Sequence, residues 1–165
     1  MATMATKHTA VVTLPTDTQI LITRDFAAPR HLVYKAWTTP ELVKRWWAGQ
    51  RGTMKTVDID LRVGGKWRYV MDTNGGFEIA FHGEYREIVP NERIVNTEVF
   101  EMPGASDSDA ALNIVTFIDA DGRTSLALLV ETPSKEVRDA IIESGMEGGM
   151  QEHMDLLEEV AISLL

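Results

Sequence analysis

Hydrophobic and polar residues along this chain keep two periods, and the switches between them mark its elements. Residues 20–27, ILITRDFA, alternate as a half-buried strand does, and Pro29 ends the run. HLVYKAW (31–37) then places Val33 and Trp37 four residues apart, on one helical face. Thr39-Pro40-Glu41 opens a second short helix, with proline at its first position and an acid in its first turn. On it Leu42 pairs with Trp46 and Val43 with Trp47, and Gly49 is placed to close it.

From residue 54 the period becomes two. The segments 54–63, 66–72, 77–89, 92–101, 111–119 and 123–131 alternate, punctuated by the turn pairs Gly64-Gly65, Asn74-Gly75, Pro90-Asn91 and Asp121-Gly122. PGASDSDA (103–110) is the one longer loop. Thr132-Pro133-Ser134 starts a helix with Val137, Ile141 and Ile142 on its apolar side. Beyond it Met146, Met150, Met154, Leu157, Ala161 and Leu164 form one helical stripe. Neither a half-apolar sheet nor an amphipathic helix buries its face alone, so the long C-terminal helix is expected across the sheet. The pattern predicts one α+β domain over residues 20–165, an antiparallel sheet of about seven strands, behind a mobile tail over residues 1–19.

Composition narrows the function classes. No run of about 18 apolar residues occurs and the N-terminus lacks a secretory apolar core, which predicts a cytoplasmic protein without membrane insertion. The absence of cysteine excludes disulfides, thiolate metal sites and a cysteine nucleophile. A formal charge of −9 opposes nucleic acid and anionic lipid as partners.

Four segments carry a resemblance: FAAPRHLVYKAWTTPELVKRWWAG, VGGKWRYVM, FHGEYREIVPNERIV and SGMEGGMQEHMDLLEEV. They resemble, in order, the heat-shock-protein-90 ATPase activator homologue family of the START-like (SRPBCC) superfamily, which includes the birch-pollen allergen. The resemblance spans residues 20–165 and implies the helix-grip fold, a curved antiparallel sheet wrapped around its last helix. It also implies an elongated apolar cavity between sheet and helix, used by some members to bind lipids, hormones or polyketides.

The candidate chemistry follows from that space. Trp67, Tyr69 and Met71 on one strand, and Phe77, Phe81 and Tyr85 on the next, alternate onto one face, expected to be concave. Met146, Met150 and Met154 oppose them from the helix. Of the adjacent Trp46 and Trp47, one indole is expected to anchor the short helix while its neighbour faces the cavity mouth or solvent, unless both are anchors; the pattern leaves open which is which, and Trp47 is counted among the cavity candidates. Gly145, Gly148 and Gly149 remove volume from the helix, allowing a kink or a close approach. A metal site of His153 with the methionines is disfavoured because His153 is rotated off their face. His82 and Glu84 share a strand face, expected to be the solvent side, and Asp155, Glu158 and Glu159 read as the wet side of the last helix. Glu98 and Asn113 lie on strands whose inward side the pattern leaves open.

No catalytic motif is found, so the expected function is binding of an apolar or aromatic small molecule, without catalysis, cofactor or metal. A cyclase, aromatase or hydrolase acting in the same cavity is the enzymatic alternative. A co-chaperone is the third, but the eukaryotic activator carries an extra N-terminal domain while only residues 1–19 precede the first strand here, so a chaperone partner is not expected. An exposed tryptophan by the short helices would favour a homodimer.

Overall fold

A computed structural model describes residues 9–107 and 110–165. Eight strands form one antiparallel sheet: β1 (Val11–Thr13), β2 (Gln19–Phe26), β3 (Gly52–Ile59), β4 (Lys66–Thr73), β5 (Glu78–Val89), β6 (Arg93–Phe100), β7 (Ala111–Ala120) and β8 (Arg123–Glu131). Their order across the sheet is β1-β2-β8-β7-β6-β5-β4-β3. Helices α1 (Arg30–Thr38) and α2 (Pro40–Val43) lie between β2 and β3, and α3 (Lys135–Glu143) and α4 (Met146–Ser163) end the chain. This is the α+β arrangement expected, an open antiparallel sheet with a long C-terminal helix.

The meander forms where the pattern places it because each hairpin has a residue able to reverse the chain. Asn91 and Asp121 take positive φ of 65° and 55°, as short polar side chains do most readily outside glycine. Ser134 caps α3 by accepting a hydrogen bond from the Val137 amide. Gly145, at φ 84°, separates α3 from α4 and lets the chain change direction there.

The inward face is set by register. Ile20, Ile22 and Phe26 on β2, Ile94 on β6, Val115 and Phe117 on β7, and Leu126 and Leu128 on β8 are buried in the same core as Met154, Leu157, Val160 and Ala161 of α4. Trp46 anchors α2 to this core, buried and donating its indole N–H to the Ala36 carbonyl at 3.0 Å.

Three expectations about the frame change. The segment 9–18 is not a free tail: β1 pairs with β2, Ala10 is buried, and the Gln151 side chain on α4 bonds both the amide and the carbonyl of Ala10. Residues 1–8 of the expected tail lie outside the described residues. The strand expected over 54–63 stops at Ile59, because residues 60–65 fold into a turn in which Gly65 donates to the Arg62 carbonyl.

The last correction concerns the supposed wet side of α4. Glu158 is 3% exposed and accepts from Arg24, also 3% exposed, at 3.1 Å and from the Ala27 amide at 2.8 Å. Asp155 takes the other arm of Arg24 at 2.6 Å. Arg24 alternates with Ile22 and Phe26 and therefore points inward, so Glu158 faces the sheet as its buried counter-charge, while Asp155, which reaches Arg24 from the rim, and Glu159 are exposed as expected.

Candidate functional site

Trp47 stands between the sheet and α4. Its ring centroid lies 5.3 Å from Tyr69 and 5.1 Å from Phe81 on the sheet, both edge-on, and 5.7 Å from His153 on α4, stacked. Edge-on packing brings positive ring edges against negative faces, which favours this aromatic array over parallel stacking alone. Trp67 packs 4.8 Å from Tyr69, and Phe81 stacks on Phe100 at 5.0 Å.

The residues expected to line the space are placed as follows. Trp67, Tyr69 and Met71 on β4 and Tyr85 on β5 are buried on the inward face, and Phe81 is half-buried there. Met146 and Met150 on α4 are half-buried against the core, while Met154 is buried within it. Phe77 is the exception: it precedes β5, is 61% exposed and closes the β4–β5 hairpin, its carbonyl accepting from the Thr73 amide. The alternation 77, 79, 81 runs past the end of pairing, so Phe77 has no inward position.

The glycine-rich stretch makes a close approach, and what approaches is Arg51. A β-carbon at position 149 would collide with its guanidinium, which donates to the Gly145 carbonyl at 3.3 Å. None of the four tryptophans is exposed, which removes the ground on which a homodimer was expected: Trp37 is half-buried against Trp46 and Phe117.

Two polar groups that sequence reasoning had not placed in the site lie on its walls. Glu98 shares the inward face of β6 with Ile94, Asn96 and Phe100, and accepts from the Asn113 amide at 2.8 Å. Burial raises its carboxyl above the usual carboxylate range, only partly countered by that hydrogen bond. The Tyr69 and Tyr85 hydroxyls are pushed up as well, chiefly by burial, and the Glu98 charge adds to the rise at Tyr69. Across the space, burial and the Arg51 charge lower His153 to about 4, so it is neutral near pH 7.

The outer face of the sheet holds a different arrangement. His82 bonds Glu101 at 2.9 Å and Asp107 at 2.7 Å, so its carboxylate partners are these and not Glu84, which pairs with Arg86. Arg68 grips Glu101 through two bonds of 2.9 Å and holds its carboxyl down at about 2. These side chains line a shallow polar hollow of about 470 Å³, and a second hollow lies by β1 and β2. Neither lies beneath α4, where an apolar cavity was expected and where the Trp47 ring stands. Among the described residues no group of three or more His, Asp or Glu side chains is placed to hold a metal ion. Nor is any helix among them long and apolar enough to cross a membrane.

Solved structures share this frame. A Rhodobacter sphaeroides protein, 23% identical, superposes with a TM-score of 0.84 over 94% of this chain and 99% of its own. One from Mycobacterium smegmatis, 21% identical, gives 0.83 over 94% and 99%. One from Chromobacterium violaceum, 26% identical, gives 0.77 over 88% and 98%. No curated protein matches the sequence. The model of one family, described as activator of Hsp90 ATPase homolog 1-like protein, matches residues 27–161, and with the fold above it the chain belongs to that family.

Proposed function

We propose that the protein binds an apolar or aromatic small molecule in the concave space between the sheet and α4, without transforming it. The observation that carries this reading is the Trp47 array. An indole packed edge-on by Tyr69 and Phe81 and stacked on His153 has few directional bonds to lose, and Phe81, Met146 and Met150 around it are only half-buried. A guest entering here exchanges ring contacts for ring contacts and gains roughly 25 cal/mol for each Å² of apolar surface it hides. Methionines adapt to the guest's outline. The family's fold is one used for ligand binding, which is consistent with this use of the space.

The test is fluorescence titration with fatty acids, isoprenoids, flavonoids and polyketide-like aromatics. Saturable quenching that Trp47→Ala abolishes is the expected result; no saturable response to any class contradicts the reading.

The enzymatic reading has one observation in its favour, the carboxyl of Glu98 held partly desolvated beside Asn113. A carboxyl tuned upward can hold or deliver a proton near neutral pH. In that case polyketide-like substrates are turned over and Glu98→Gln lowers turnover by about a hundredfold while leaving binding intact. Binding without turnover leaves the receptor reading alone.

A further inference from the structure

Register places Glu98 in a gap. It pairs with Ala111 on β7, and the neighbouring pairs His82–Val99 and Tyr85–Asn96 put Gly83 opposite it on β5. Its two cross-strand neighbours are therefore among the smallest residues available. Gly83 is required there: a β-carbon would strike the Thr97 carbonyl oxygen and crowd the Trp67 indole nitrogen. The Trp67 indole leans across Gly83 to donate to that same carbonyl at 3.1 Å, which brings an aromatic ring to the residue preceding Glu98.

On one side of Glu98 runs the aromatic row Tyr69, Phe81 and Phe100, paired across β4, β5 and β6. On the other runs the row Tyr85, Asn96 and Asn113, across β5, β6 and β7. Asn113 satisfies one carboxyl oxygen, and among the described residues Glu98 has no ion-pair partner. Of the two arginines that face α4, Arg51 turns to the Gly145 carbonyl and Arg24 is taken by Asp155 and Glu158. The inward face of the sheet thus carries a half-buried carboxyl with one oxygen bonded to Asn113 and the other open to solvent, no counter-ion among the described residues, and aromatic side chains in the neighbouring row.

Such a carboxyl suits one kind of guest above others. A protonated amine supplies the missing counter-charge, and its N–H groups fill the unused oxygen. Ring faces beside the carboxyl attract the same cation, whereas an anionic guest meets like charge. We infer that the ligand of this space is an organic amine, a cationic nitrogen on an aromatic or apolar body, with Glu98 as its counter-ion. The inference rests on the binding reading above and adds the charge of the guest.

Three probes sharing one ring system separate the two claims: naphthylmethylamine, naphthylmethanol and naphthoate, titrated by tryptophan fluorescence at neutral pH. The amine binds at least about tenfold more tightly than the alcohol, as a desolvated charge pair flanked by rings implies, and naphthoate binds most weakly. Glu98→Gln brings amine and alcohol to equal affinity, and should that variant not fold, the comparison on the unaltered protein decides alone. Equal binding of amine and alcohol, or tightest binding of naphthoate, overturns the inference and leaves the binding reading standing. Absence of binding by all three and by the wider ligand panel overturns both.

Discussion

Glu98 and His153 are costly residues to keep where they are. A carboxyl whose folded-state pKa is raised costs stability above that pKa, because ionising it is harder in the fold than in the unfolded chain. Glu98→Gln is therefore expected to raise Tm at pH 7, at ~2–4 °C per kcal/mol recovered in a chain of this size, with the gain vanishing in acid as the native carboxyl protonates. Melting curves at several pH values check this; a lower Tm at pH 7 contradicts it. His153 has the opposite pattern. Its pKa is lowered to about 4, so its neutral form supports the fold above the ordinary histidine pKa, and that support is lost between about 6.5 and about 4. His153→Phe flattens the stability profile across that window.

At the residue scale the sequence was informative only in part. The inward alternation of Trp67, Tyr69 and Met71 was readable because charged Lys66, Arg68 and Asp72 occupy the other face. On β6 both faces are apolar, with Ile94 on one and Val95 and Val99 on the other, so no contrast marked Glu98 as inward. Only the cross-strand pairing of Phe100 with Phe81 resolves it. Arg24 had a signal: it continues the alternation of Ile20 and Ile22, and an arginine in such a place implies buried acids elsewhere in the chain.

Among the elements, α4 depends on that arginine. Removing Arg24 leaves Glu158 buried beside the Ala27 amide with its charge uncompensated, so Arg24→Ala costs about 3–5 kcal/mol in denaturant unfolding. A cost below 1 kcal/mol would show that α4 is held by its apolar stripe alone. Gly83→Ala tests the β5–β6 pairing in the same way. The added carbon meets backbone, which cannot swing aside, and a loss of about 3 kcal/mol is expected together with a shifted Trp67 emission. The elements were legible where turn chemistry bounded them, as at Asp121-Gly122. They were not at β1, where Val11, Val12 and Thr13 make a run too short to show a period, and which holds its place by pairing with β2 and through Gln151.

For the molecule as a whole, the two sides of the sheet divide the work: the inner side carries the proposed binding region, and the outer side carries ion pairs around a polar hollow. His82 illustrates the outer side: its pKa is raised, first by Asp107, so both carboxylate contacts persist in mild acid and weaken as pH rises through its folded pKa. The four indole N–H groups report on the two inner regions separately. Trp47 and Trp67 edge the concave space, whereas Trp46 is bonded to Ala36 and Trp37 packs on Phe117. Indole N–H resonances followed by NMR during titration with naphthylmethylamine test the account most directly. It predicts that the Trp47 and Trp67 signals move with a common affinity while those of Trp37 and Trp46 stay in place. Movement confined to Trp37 and Trp46, or none at saturating probe, would contradict it.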